Sequence, residues 1–488
     1  MVAAASRGTS DLPTGVAGSS PFTGKDIEIV MNHQCQEHEP GRSGRRRARS
    51  RWWAVGLAGM TGLALTAVVV GVPATGAAGQ AFTAADDPPG KPDRSTATDH
   101  RNEGKADGKA RAKKSKGVPV PCDADKLIAA ITLANARGGA VLDLAKGCTY
   151  LLTANIDGNG LPIITAPITL NGGKHTTITR AAAADQFRIA TVGTGGDLTL
   201  NHLTIAGGQT TNAGTDGAGI FVSEGGALTT NHSTVTRNIA GGNGGGIVNN
   251  GITRINASTL RHNTAGIVAG GVTSSGALDI SKSRIYGNTA NAGAGVASSG
   301  TVRIEDSSIS DNQAQDVVGG ILVNGGTAVV TDSGVTSNTA GGAVGGILAN
   351  VGSQVTLTSV TLAKNVASAG LGGGLAIETG GTAVVADSTI EHNNASLEGG
   401  GIYNADELIV RNTKVTGNQA DLGGGIYNAD TGTLTLFTTK IIKNVAVTDG
   451  GGIFNDVGGT VELNTATGTV VVKNRPNNCS GDVPGCPG

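Results

Sequence analysis

Asp306 and Asp332 each stand six residues before an Asn-x-Ala triplet, the triplets beginning at Asn312 and Asn338. If successive triplets stack as strands, the two carboxylates lie about 4.8 Å apart, one strand spacing. Carboxylates that close favour a bound cation or a shared proton. Two chemistries use such a pair: a Ca²⁺ site, or the acid and base of glycoside cleavage. The same position in the other repeats gives the column His232, Ala257, Lys282, Asp306, Asp332, Ser359, Asp387, Asn412 and Thr438. Asp, Asn, Ser and Thr are also ordinary turn residues, so a solvated corner is the competing explanation.

A second set lies further along. The octapeptide GGGIYNAD occurs at Gly399 and again at Gly423, placing Tyr403 and Tyr427 at one repeat position. Such rings either stack on sugars or pack on each other as a ladder. Around them the sequence carries Glu378, Asp387, Glu391, His392, Glu398, Asp406 and Glu407. Glu398 precedes a glycine turn, and Asp406 and Glu407 follow the next strand, so these acids need not share a face. Asp387, Tyr403 and Tyr427 are the binding candidates, and Asp306 and Asp332 the catalytic ones. No Ser/His/Asp constellation is present to suggest nucleophilic catalysis.

The elements that must position these residues repeat. An aliphatic residue follows the glycines at Ile220, Ile247, Val272, Val296, Ile321, Ile347, Leu375, Ile402, Ile426 and Ile453, at spacings of 24 to 28 residues. The first nine are each followed by an Asn-x-Ala, at Asn238, Asn263, Asn288, Asn312, Asn338, Asn365, Asn393, Asn418 and Asn444. Three residues before each of those Asn stands another aliphatic, as at Val235, Leu260 and Ile285. Each repeat thus holds three short segments alternating with the strand period of two. Strands so short need neighbours on both sides. One repeat per turn of a coil supplies them, with like strands stacked in parallel. The glycines then let the chain turn tightly between faces, including at positive φ. The Asn is expected to take a left-handed or turn conformation and to bond its copies along the column. The same triplet does not read as a phosphate-binding loop, since no helix and no Lys follow it.

An open stack exposes strand edges and needs caps. CDADKLIAAITLANARGG, from Cys122, reads as a capping helix. Asp123 or Asp125 is its N-cap, Leu127, Ile128, Ile131 and Leu133 form its apolar side, and Gly138 ends it. Of the five cysteines, Cys35 lies in the basic start of the export segment, and the other four fall in two local pairs, Cys122 with Cys148 and Cys479 with Cys486, one at each end of the repeats. An even count suits disulfides, and no His or Cys cluster favours metal ligation instead.

Composition agrees with many strands and turns. Gly is 80 of 488 residues and aromatics are 2%, so Val, Ile, Leu, Ala and Thr must supply the core. Residues 1–118 carry 17 Lys and Arg against 11 Asp and Glu, whereas residues 119–488 carry 19 against 26. The mildly acidic repeat region gives no electrostatic case for nucleic-acid binding. The basic region reads as export and tail. Arg45 to Ala81 has a basic start, an apolar run from about Ala54 to Val72 and small residues after Pro73, as in a secretory signal. Cleavage near Ala77 or Ala78 is expected, the run also being long enough for an uncleaved anchor. Met31 is an alternative start. Residues 82–118 are charged, rich in Pro and Gly and short of large apolar side chains, which reads as a disordered linker. Its role is either a spacer or a Lys-rich contact to anionic wall polymer. The expected organisation is 1–81 extension and signal, 82–118 linker and 119–488 repeat domain.

The repeats resemble the right-handed parallel β-helix of pectate lyases. More narrowly, GGGI with a nearby Asn resembles the GGAI and FxxN repeats of polymorphic outer membrane proteins, over about Ala140 to Asn474. The resemblance implies an all-β, right-handed parallel β-helix of about 12 turns. It also implies a secreted or surface-tethered scaffold for adhesion or for binding a glycan or envelope component, reaching the membrane only through the N-terminal segment. No segment reads as the β-barrel translocator of that family. The alternative it implies is a polysaccharide lyase or hydrolase. Residues 119–488 lack the Asp-Asp and Gly-His-Gly of the galacturonide hydrolases. A lyase of this fold uses clustered Asp for Ca²⁺ with an Arg or Lys base, and Lys282 and Arg303 lie near Asp306. No cofactor is expected, Ca²⁺ apart.

Overall fold

A computed structural model describes residues 117–487, apart from residue 213. The chain winds into a coil whose strands pair only in parallel with the coils before and after. The coil containing Ile247 is typical. It has a three-residue strand after the glycines (Ile247–Asn249), a five-residue strand (Ile252–Asn256), a three-residue strand (Thr259–Arg261) and a two-residue strand (Thr264–Ala265). Copies of these stack into sheets of 12, 14, 13 and 10 strands respectively. The stack has about 14 turns, where the repeats alone suggested about 12; the irregular early turns before Ile220 add strands without the glycine signature.

Register explains the sequence columns. Ile247 pairs with Val272, Val296 with Ile321, and Ile402 with Ile426. All of these are fully buried. The five-residue strands alternate out and in, so Thr253 and Ile255 are buried while Ile252 and Arg254 are exposed. A fully buried Ile or Leu contributes about 1.5–3 kcal/mol, and the coil gathers such residues into one continuous core. The fourth strand is absent from the three segments read in sequence. It holds the Ala of each Asn-x-Ala, and Ala265, Ala290, Ala314 and Ala340 pack as a small column. Two residues carry too little alternation to be read as a strand, yet the column leaves room only for a methyl group.

Both corners flanking the second three-residue strand are left-handed. The Asp306 column has φ between 46° and 56°, from Ala257 and Asn412 to Ser359. The other corner falls on the residue before each Asn, at Arg237, His262, Asp311, Ser337, Lys364, His392 and Lys443, and not on the Asn itself as expected. The Asn is needed for another task. Asn263 donates from Nδ2 to the Val235 carbonyl and to Asn288 Oδ1, and its backbone N–H donates to that same oxygen. This pattern repeats to Asn474. Every buried amide is satisfied within the column.

The glycine triplet has two separate causes. Gly244 sits at φ +63°, and Gly245 and Gly246 lie so close to the carbonyls of Thr264 and Gly271 that a Cβ would overlap them.

The helix α1 (Ala124–Ala136) covers the first coils. Asp123 is its N-cap, accepting from the N–H groups of Asp125 and Lys126. Leu127, Ile131 and Ala134 are buried, whereas Leu133, assigned to the apolar side, is 48% exposed. Leu133 lies two positions from Ile131 and so turns off the buried stripe that Ala134 continues. Both disulfides, Cys122–Cys148 and Cys479–Cys486, are formed. The expected linker meets the described residues only at Gly117 and Val118, and Val118 already pairs with Leu142. The signal segment and the rest of the linker lie outside the described residues. Among the described residues no helix is long and apolar enough to cross a membrane.

Candidate functional site

The outer face of the 12-stranded sheet is not open. In the middle coils the segment leading to the glycines folds back over it. Val268, Ala292, Val318 and Val344 in that segment pack on Ala297, Leu322, Leu348 and Ala376 of the sheet. This forms a second apolar layer outside the main core.

Towards the C-terminal coils the same layer changes character. The outward position of the sheet becomes Tyr403, Tyr427 and Phe454, which are register partners. Tyr403 and Tyr427 stack with centroids 5.6 Å apart and planes 9° from parallel. Tyr427 and Phe454 stack at 5.2 Å and 3°. Tyr427 is sandwiched and only 6% exposed, while Tyr403 and Phe454 are half-buried. The ladder reading of the tyrosines therefore holds, and most ring faces are taken by neighbouring rings.

The covering position becomes Glu398. Val268, Ala292 and Glu398 each stand four residues before the inward aliphatic. Val268 bridges to Ala292, and Glu398 bridges to Leu422 in the same way. A carboxylate thus occupies a site where earlier coils bury Val or Ala. Burial, then the charges of Asp456 and Asp421, push its pKa up to about 7. Burial also raises Glu378. The hydroxyls of both tyrosines are raised by burial and then by carboxylates: Glu378, Glu398, Asp430 and Asp456 act on Tyr403, and Glu398 and Asp456 on Tyr427. Tyr427 donates to Asp456 Oδ2 at 3.3 Å.

Four carboxylates therefore act on the two phenols, and a fifth, Asp421, acts on Glu398. Asp456 accepts from Tyr427 and the Val457 N–H, and Asp421 from Thr448. Among the described residues the carboxylates of Glu378, Glu398 and Asp430 have no hydrogen-bond or ion-pair partner within the chain, and the only ion pairs, Arg254–Asp279 and Arg303–Glu305, lie elsewhere. A carboxylate is acceptor-only when ionised. The surroundings of the rings are rich in acceptors.

The other sequence candidates lie apart from it. Asp306 and Asp332 are exposed residues of the left-handed corner between the five- and three-residue strands. Asp387 is on that same corner, accepting from Asn412 Nδ2 at 2.6 Å, and so does not face the tyrosines. Of the second acidic group, Glu378 and Glu398 join the ladder. Asp406 accepts from the Gly380 N–H, and His392 lies over Gly417 at a corner. Sequence reasoning did not single out Phe454, Asp430 or Asp456. The signal was present in GGGIFND, which matches GGGIYNAD at the aromatic position.

Residues 245–435 match the family model described as a right handed beta helix region. The fold is a right-handed parallel β-helix. No curated protein and no solved structure matches the chain. The matched residues of the β-helix include Glu378, Glu398, Tyr403 and Tyr427, with Phe454 and Asp456 just beyond.

Proposed function

We propose that this β-helix is a non-catalytic scaffold that binds a glycan, displayed outside the cell or tethered through its N-terminal segment. The observation that carries the reading is the stacked row of Tyr403, Tyr427 and Phe454, beside which Glu398 stands where earlier coils have apolar cover. Sugar hydroxyls are donors that such acceptors hold, and a rigid ladder holds the acceptors in place without an ordering cost on binding. The basic, then apolar segment from Arg45 to Ala81 supports export. The repeats' resemblance to polymorphic outer membrane proteins supports a surface role, by analogy of fold. The alternative, a lyase or hydrolase, has its support in Asp306 and Asp332, which are exposed corner residues.

The test is retention of the purified chain on a panel of immobilised polysaccharides, with release of reducing ends and unsaturated products scored in parallel. Retention without turnover, lost in Tyr403→Ala, is expected. Turnover abolished by alanine at Asp306 and Asp332 would replace this reading with the enzymatic one.

A further inference from the structure

We propose that a cavity in the early coils, with Arg188 in its wall, binds the carboxylate of a small organic acid. The cavity lies towards the α1 end of the coil, away from Tyr403, and is independent of the glycan reading above.

The cavity measures about 260 Å³. That is just under the roughly 300–1,000 Å³ of sites for drug-sized ligands, so it suits one small molecule. Asn159, Phe187 and Thr210 line it and are buried, while Asp157 and Gln186 line it and are exposed, so its mouth opens to solvent. Arg188 is the one cation in its wall.

The guanidinium is held before any ligand arrives. It lies over the Phe221 ring, 4.7 Å from the centroid. Phe221 is the register partner of Thr191 in the 12-stranded sheet, so Arg188 covers an outer face that later coils cover with Val and Ala. Nη1 donates to Thr191 Oγ1 at 3.3 Å and Nη2 to the Asp216 carbonyl at 2.8 Å. Thr191 in turn donates to Asn159 Oδ1 at 2.6 Å, and Asn159 Nδ2 donates to the Asp157 carbonyl at 3.0 Å. This chain of bonds fixes the cation to the cavity wall and removes an ordering cost from binding.

The guanidinium is also incompletely matched. Arginine carries five N–H donors, and among the described residues Arg188 makes only the two bonds above. Its Nε is buried without a partner. Asp216 meets it through the backbone, while the Asp216 carboxylate accepts from the Asn243 N–H. Burial lowers the Arg188 pKa, against the charge of Asp216, and a buried cation without a paired anion is costly. A carboxylate supplies that charge, with two oxygens spaced to accept in parallel from a guanidinium. At the mouth, Gln186 Oε1 already accepts from the Thr211 N–H and hydroxyl at 3.0 and 2.6 Å. Its amide N–H groups remain for a second oxygen of the ligand. The other lining groups are neutral apart from Asp157, which favours a single negative charge over a phosphate dianion.

Calorimetry on the whole chain with lactate, with its neutral amide lactamide and with inorganic phosphate tests the proposal. Lactate is expected to bind at least roughly tenfold tighter than either of the others. Arg188→Gln should abolish lactate binding. Gln186→Glu keeps an acceptor for Thr211 and sets a second negative charge at the mouth, so it should weaken lactate roughly tenfold or more with Tm unchanged. Where Arg188→Gln fails to fold, Gln186→Glu decides. Tyr403→Ala should leave lactate binding intact, which separates this site from the ring row. Binding of none of the three probes, lactamide or phosphate binding as tightly as lactate, or undiminished binding in Gln186→Glu overturns the proposal.

Discussion

Asn338 and Asn365 are joined twice through one oxygen. Asn365 Oδ1 accepts from the Asn338 backbone N–H and from its Nδ2, each at 3.0 Å. Asn338 Oδ1 receives the same two bonds from Asn312, and Asn338 Nδ2 also donates to the Ile309 carbonyl. Removing the side chain leaves two buried N–H donors of Asn312 without their acceptor and takes one bond from the Ile309 carbonyl. Each such group costs about 1–3 kcal/mol. Asn338→Ala is therefore expected to destabilise the coil by about 3–5 kcal/mol, measured by denaturant unfolding. Asn338→Asp should do similar damage, since an acceptor replaces the donor. A loss below about 1 kcal/mol would show that the column is not a source of stability.

Asp449 and Glu398 give the fold opposite responses to pH. Burial alone would raise Asp449, but donors at Ser480, Asn477 and Gly450 more than offset it and hold the carboxyl below its ordinary range. Its stabilisation is present above pH 3.8 and is lost as pH falls through its lower folded value. Asp449→Asn should lower Tm near neutrality and flatten the acid limb of the profile.

Glu398 has the other sign. Its folded value of about 7 lies above the ordinary 4.5, so the folded state holds a proton that the unfolded state has released. Stability falls as pH rises from 4.5 to about 7, and the penalty persists above that. With its partial exposure allowed for, the penalty is on the order of 2 kcal/mol. Glu398→Gln should raise Tm in alkaline buffer and leave it unchanged in acid. A variant equally stable at both ends would contradict the assigned burial.

The left-handed corners invite glycine. Ala257 has φ 46°, a conformation that costs an L-residue roughly 1 kcal/mol. Ala257→Gly should stabilise by about 0.5–1 kcal/mol, whereas Ala257→Val should destabilise by more. Asp306→Gly and Asp332→Gly should behave like Ala257→Gly and leave glycan retention intact, which binding on the same panel would check.

The disulfides should differ in weight. Cys122–Cys148 closes a separation of 26 residues and Cys479–Cys486 one of 7. Loop entropy gives about 3–4 and about 2 kcal/mol respectively. Cys122→Ser should expose α1 to proteolysis well before the central coils open, since repeat arrays lose their ends first.

The coil was legible because its signals recur. Ile321 alone says little, but an aliphatic after glycine at ten positions fixes which way that strand faces. Asn338 was legible as a ladder residue for the same reason. What could not be read were contacts set between segments. Asp387 and Glu398 look alike in sequence, yet one stands on a solvated corner and the other in the fold-back segment that covers the sheet. That cover has no periodicity of its own, because its position relative to the glycines shifts between Val268 and Val318. Phe454 was missed because two tyrosines looked like a pair, when register carries the row one coil further.

The asparagine column has a direction. Each side-chain amide from Asn238 to Asn444 points its N–H towards the following coil and receives on its oxygen from the preceding one. Strand dipoles largely cancel across a sheet, but these amides all point one way and their dipoles add, as peptide units do along a helix. The column thus carries a dipole of its own along the coil axis, negative towards the coils under α1 and positive towards the coils closed by Cys479–Cys486.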